Sequence, residues 1–129
     1  PNFGSGSSRE HAVWALEDAG FHVVIAPSFA DIFRNNCFKV GLLPVELPQE
    51  SVRALMDAVL DDPETEITVD LDALRVSATV VHESFEIDPY TRWRLLEGLD
   101  DVDLTLRHAA AIDAYERARP ARLPSVPRP

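Results

Sequence analysis

The chain has one cysteine, Cys37, in 129 residues. No disulfide can form within it, and a single thiol cannot hold an iron–sulfur cluster, which normally takes several thiolates. Such sparse cysteine usage fits a reducing cytosol. No apolar run approaches the roughly eighteen residues that a membrane span needs. The opening Pro1-Asn2-Phe3-Gly4 lacks the basic start and apolar stretch of a secretory signal. Positive charge is scarce: 12 Lys and Arg face 22 Asp and Glu, for a formal net charge of -10. That balance argues against nucleic acid and against an anionic membrane surface as partners, because binding phosphate calls for a basic footprint. It leaves room for a small anion gripped by local donors. Neither GxGxxG nor a Gly-Lys-Ser/Thr ending is present, so both common nucleotide motifs are missing.

What is there suits one domain. Apolar residues make up 46% of the chain, enough for a single core. Arg9 to Ala19 reads as a helix with Ala12, Val13, Ala15, Leu16 and Ala19 on its apolar side and Gly20 as its stop. Phe21 to Ala26 is short, apolar and β-branched, the pattern of a buried strand. Pro27-Ser28 breaks it. A second helix is expected from Phe29 to about Asn36, with Phe29, Ile32 and Phe33 inside, and Leu42 to Leu47 as the next strand. Pro48 to Leu60 places Val52, Leu55, Met56 and Val59 at helical spacing. Ile67 to Leu71 and Leu74 to Val81 read as a hairpin around Asp72, with Phe85 to Ile87 as a short third strand. Asp88-Pro89 is a cap followed by a first-turn proline, and that helix stops at Gly98. A last helix covers about His108 to Ala118. The reading is a mixed α/β domain over residues 1–118, followed by a proline-rich tail over 119–129 that is expected to be mobile. The chain opens on loop-type residues without a Met, so a preceding strand is expected to complete a strand–loop–helix unit.

The sharpest local feature is Gly4-Ser5-Gly6-Ser7-Ser8-Arg9-Glu10-His11-Ala12. Small residues let a backbone approach a ligand closely. A helix start presents free N–H groups and the positive end of the helix dipole. Ser7 and Ser8 add hydroxyls, and Arg9 adds a planar fork suited to a carboxylate. Spacing alone leaves two explanations open. Ser7-x-x-Glu10 is also a capping box, and ordinary capping accounts for such a pattern more often than a ligand does.

The same nonapeptide resembles the signature of the swivelling domain of the aconitase superfamily. The resemblance continues in register through Ala26-Pro27-Ser28-Phe29-Ala30-Asp31-Ile32-Phe33-Arg34-Asn35-Asn36 and Lys39-Val40-Gly41-Leu42-Leu43-Pro44. Trp93-Arg94-Leu95-Leu96-Glu97-Gly98-Leu99-Asp100-Asp101, continuing to Arg107, is similar to the isopropylmalate isomerase small subunits in particular. The resemblance implies a swivelling β/β/α fold whose N-terminal strands are missing from this sequence. It implies a large-subunit partner that carries a four-iron, four-sulfur cluster, with no metal ligand in this chain. The pair would act as a hydro-lyase on a small dicarboxylate, interconverting 2-isopropylmalate and 3-isopropylmalate in leucine biosynthesis. Residue by residue, Ser7 matches the catalytic serine, Ser8 and Arg9 match residues that hold a substrate carboxylate, and Gly4 and Gly6 shape the loop. A sibling hydro-lyase acting on methylmalate/citraconate or homoaconitate, and a non-catalytic binding domain, are the alternatives. Glu10 and His11 read as a capping and a packed residue; Asn36 and Lys39 as pins of the turn near Gly41. Cys37 reads as a small buried apolar group; His22, His82 and His108 as structural. Phe85 and Trp93 read as core, and Asp61-Asp62 and Asp100-Asp101 as solvated turns.

Overall fold

The computed structural model describes residues 2–6, 9–99 and 101–119. Among the described residues, eleven elements follow one another: α1 (His11–Asp18), β1 (Val23–Ala26), α2 (Asp31–Val40), β2 (Leu43–Glu46), α3 (Gln49–Asp61), β3 (Thr68–Asp70), β4 (Arg75–Ala78), β5 (Val81–Ser84), α4 (Pro89–Glu97), α5 (Asp101–Leu106) and α6 (Ala109–Ala118). The expected tail lies almost wholly outside the described residues.

The first half is built around a β–α–β unit. β1 and β2 pair in parallel, with Val23 opposite Leu43 and Ala26 opposite Glu46, and α2 makes the crossover between them. Parallel strands cannot be joined by a tight turn, so a helix must bridge them. Pro44 sits in the middle of β2, where its missing N–H would ordinarily break a ladder. It does not here, because Leu43 donates to His22 and Leu47 donates to Ala26. Every second residue faces β1, so the nitrogen of Pro44 faces the open edge. Gly41 ends α2 in the left-handed conformation (φ 81°), which lets the Leu42 N–H return to the Cys37 carbonyl at 3.0 Å.

The second half is a three-stranded antiparallel meander, β3-β4-β5. α3 packs against both β1 and β5 and so joins the two sheets. The larger core accordingly mixes Val45 and Leu47 from the first half with Leu55 from α3 and Val76, Val81 and Phe85 from the meander. A smaller core lies between α1 and α2, made of Val13, Ala26, Phe29, Phe33, Cys37 and Leu42. Arg92 of α4 clamps the β3–β4 turn: Nε and Nη2 donate to the carbonyls of Leu71 and Asp72, each at 2.9 Å.

Several expectations are corrected. The strand expected over Leu74–Val81 ends at Ala78, and Thr79-Val80 forms the turn before β5. β-branched residues favour strands only where neighbours pack on them, and Val80 projects into solvent. The third strand is therefore Val81–Ser84, with Phe85 following it as a buried residue. α2 begins two residues later than expected and continues to Val40. Ile32, expected inside, is 54% exposed; the inner face of α2 is Phe33, Asn36 and Cys37. In α3, Val52 and Leu55 are buried but Met56 and Val59 are exposed. They line an open apolar groove of about 350 Å³ with Ile25, Leu60 and Ile67. Trp93 is not core: it is half-buried, with the Arg107 guanidinium 5.0 Å above its ring. α5 was unexpected. Asp101 starts it rather than sitting in a turn, and Asp100 lies outside the described residues.

Candidate functional site

The Gly-Ser bend stands on the first half of the fold, at the entry to α1. It is fixed at its base by backbone hydrogen bonds to the segment before α2. Phe3 N–H donates to the Ser28 carbonyl, and Ala30 N–H donates back to the Phe3 carbonyl, both at 2.9 Å. Phe3 and Phe29 thereby form an isolated parallel bridge. Asn2 N–H donates to Ser28 Oγ at 2.6 Å. Ser28, which follows the end of β1, thus anchors the bend through Asn2 and Phe3. The side chains reinforce this. The Phe3 ring meets Phe29 and Phe33 edge-on at 5.9 and 5.4 Å, while Phe29 and Phe33 stack nearly parallel at 6.1 Å.

From that base the chain turns outward. Gly4 takes φ 83°, and Ser5 N–H closes a turn onto the Asn2 carbonyl at 3.2 Å. Ser5, Gly6 and Arg9 are all exposed. The bend is thus neither sealed nor folded into the core, and its arginine lies at the surface. Ser7 and Ser8, with their two hydroxyls, lie outside the described residues.

The helix beyond the bend starts later than a capping box anchored on Ser7 predicts. Glu10 is the N-cap residue of α1 and makes no side-chain cap bond; its carbonyl accepts from Val13 and Trp14 at 2.9 and 3.1 Å. The Glu10 carboxylate instead accepts from Lys39 Nζ at 3.0 Å, tying the start of α1 to the end of α2. Lys39, expected to pin the turn near Gly41, thus reaches across to the signature loop. His11 is exposed and packs on the Trp14 ring at 4.7 Å. Asn36 is buried on the inner face of α2. The positive dipole end of α1 lies at the bend, a setting that favours an anion.

Cys37 is fully buried, and desolvation pushes its thiol up to about 12, against the smaller opposing effect of a backbone hydrogen bond. A thiol so disposed is neither a nucleophile nor a metal ligand. Among the described residues, no three His, Cys, Asp or Glu side chains come together as a metal site. The donor set of the described residues, with its single buried thiol, does not fit a resident iron–sulfur cluster. His22 and His82 are exposed, and the His108 carbonyl starts α6 by accepting from Ala111 and Ile112.

Comparison with known proteins places this geometry. The aconitase C-terminal domain model matches residues 1–50 and the LeuD_N model residues 53–89. The model for the C-terminal domain of the 3-isopropylmalate dehydratase small subunit matches residues 101–124. The 3-isopropylmalate dehydratase small subunit of Rubrobacter xylanophilus is 61% identical over 97% of this chain. That of Acidothermus cellulolyticus is 62% identical over 98%. In both cases the chain spans 64% of the relative's length. A crystal structure of 3-isopropylmalate dehydratase from Methanocaldococcus jannaschii superposes with a TM-score of 0.61 at 31% identity, covering 89% of this chain and 64% of that one. The exposed bend, the β–α–β unit that carries it and the relatives' names agree: this chain belongs to the family of 3-isopropylmalate dehydratase small subunits, with the aconitase C-terminal fold.

Proposed function

We propose that the chain is the small subunit of a 3-isopropylmalate dehydratase, a hydro-lyase active only with a large subunit, in leucine biosynthesis. The observation that carries this reading is the bend before α1, pinned at its base through Phe3 and exposed at Ser5, Gly6 and Arg9. The substrate is a dicarboxylate, 2-isopropylmalate or 3-isopropylmalate. Arg9 grips one carboxylate through its planar fork, and Ser8 adds a hydroxyl donor. Ser7 takes the proton from the substrate carbon and returns it in the reverse direction. A serine oxygen is a poor base in water, so it needs pre-aligned donors to hold its charge, and the amides of the helix start supply them. Gly4 and Gly6 keep the backbone slim enough for the substrate to approach. The Lewis-acid chemistry of a four-iron, four-sulfur cluster belongs to the large subunit, since one sealed thiol cannot hold it here.

The test is co-expression with a large subunit and an anaerobic assay. Absorbance of the unsaturated intermediate is followed after adding 2-isopropylmalate. Turnover is expected from the pair and from neither chain alone. Ser7→Ala is expected to assemble normally and to lose turnover. An assembled, cluster-loaded pair that leaves 2-isopropylmalate untouched refutes the reading, and an active Ser7→Ala pair refutes the role of that serine.

A further inference from the structure

The chemistry proposed above needs the bend to keep one shape, and Gly4 and Gly6 differ in how closely they are packed. A Cβ added at Gly6 would meet no atom within 4 Å. The tie at the far end, between Glu10 and Lys39, is an ion pair with each side chain about half exposed, the kind that water and salt weaken. Gly4 is different. A Cβ there would overlap Phe33 Cγ and lie 2.5 Å from Phe33 Cβ and 2.6 Å from Cδ2. Those atoms are at the root of the side chain, on a helix, and cannot swing aside as the tip of a long residue could. Phe33 itself is 3% exposed and held on two sides by the rings of Phe3 and Phe29.

We propose that Phe33 is a positioning residue for the substrate loop: its packed ring is the wall on which Gly4 is seated, and it sets where Ser5 and Gly6 leave the surface. This inference rests on the function proposed above. Phe33 touches no substrate and acts only through Gly4 and Phe3. The small size of Gly4 is needed for seating as well as for its positive φ. Gly41 is the internal comparison, since it has almost the same φ (81°) but no atom within 4 Å of an added Cβ.

The experiment uses the assembled pair, with kcat and KM referred to assembled complex, and amide hydrogen exchange as a second readout. Phe33→Leu keeps the site apolar but removes the flat ring. It is expected to lower kcat by about a hundredfold, the effect of an ångström-scale misplacement, with a smaller change in KM. Exchange at the Phe3, Ser5 and Ala30 amides is expected to speed up at least about tenfold, as those hydrogen bonds open more often. Gly4→Ala is expected to lose kcat similarly, and adding Phe33→Leu is not expected to restore it, because leucine keeps the Cβ and Cγ that the added carbon would meet. Gly41→Ala is expected to lose stability but to keep its kcat per assembled complex. A structural role alone would lower the yield of complex and leave kcat unmoved. Phe33→Leu and Gly4→Ala each within about twofold of the parent kcat, with unchanged exchange at those three amides, would overturn the inference. Where Phe33→Leu does not fold, Gly4→Ala decides: parent kcat and exchange overturn the proposal, and a lowered kcat with faster exchange at those amides supports it. A parent pair without turnover refutes the proposed function; the exchange measurement still decides the seating of the bend.

Discussion

Leu42 and Leu60 are the same residue with opposite fates, and substituting each by alanine tests how the small core supports the bend. Leu42 follows the Gly41 cap and is 1% exposed, among Val13, Phe33 and Cys37. Leu60, on α3, is 77% exposed. Leucine to alanine removes about three buried carbon groups' worth of transfer energy, at about 0.8 kcal/mol each. At Leu42 the space left behind adds to that loss. Helices α1 and α2 are held by their own hydrogen bonds and collapse into the space only partly, so the total is about 3 kcal/mol. At Leu60 most of that surface is already wet, and the loss is at most about 0.5 kcal/mol. Against a domain stability of about 5–15 kcal/mol, the first is a large fraction and the second is near measurement error. Urea unfolding followed by circular dichroism reads both. The midpoint is expected to fall sharply for Leu42→Ala with little change in slope, and to stay put for Leu60→Ala. A loss below about 1 kcal/mol at Leu42, or equal losses at both sites, would refute the assignment of the α1–α2 interface as a packed core.

The Cys37 thiol, pushed up to about 12 from its ordinary 9.0, is expected to ignore thiol reagents at pH 8 in the folded chain and to react once urea unfolds it; stoichiometric labelling of folded protein contradicts this. Because the folded value is the higher one, its contribution is complete below pH 9 and is lost as the pH climbs towards 12, so stability is expected to fall less steeply above pH 9 in Cys37→Ala than in the parent. Asp88 caps α4, and the Thr91 N–H and then the Thr91 hydroxyl hold its carboxyl below the ordinary 3.8. That cap is complete above 3.8 and disappears as pH falls through the lowered value, so the stability gap between Asp88→Ala and the parent is expected to narrow in acid; a pH-independent gap argues against the cap. Arg92→Leu removes two charge-assisted hydrogen bonds to the β3–β4 turn and is expected to cost about 1–2 kcal/mol, with faster amide exchange at Ala73, whose N–H now donates to Asp70 Oδ1 at 2.7 Å; unchanged exchange there refutes the clamp.

The sequence by itself settled what is local. The helix stop at Gly98, the Asp88-Pro89 start of α4, the two short apolar strands and the glycine–serine turn before α1 all follow from residues within a few positions of one another. Their order was enough for an α/β domain, and the quoted segments were enough for the family. Helical spacing also named apolar faces, but it could not say which members of a face find a partner. Ile32 and Met56 fit their periods and stand in solvent, while Asn36 is buried.

Tertiary structure decided everything that joins distant residues. Ser28 meets Asn2 across 26 positions, and Lys39 meets Glu10 across 29. Phe33 fills the space beside Gly4. Periodicity describes a residue's neighbours along the chain, whereas the bend is held by neighbours through space. Packing of α2 against Phe3 and Gly4 is what holds the base of the turn.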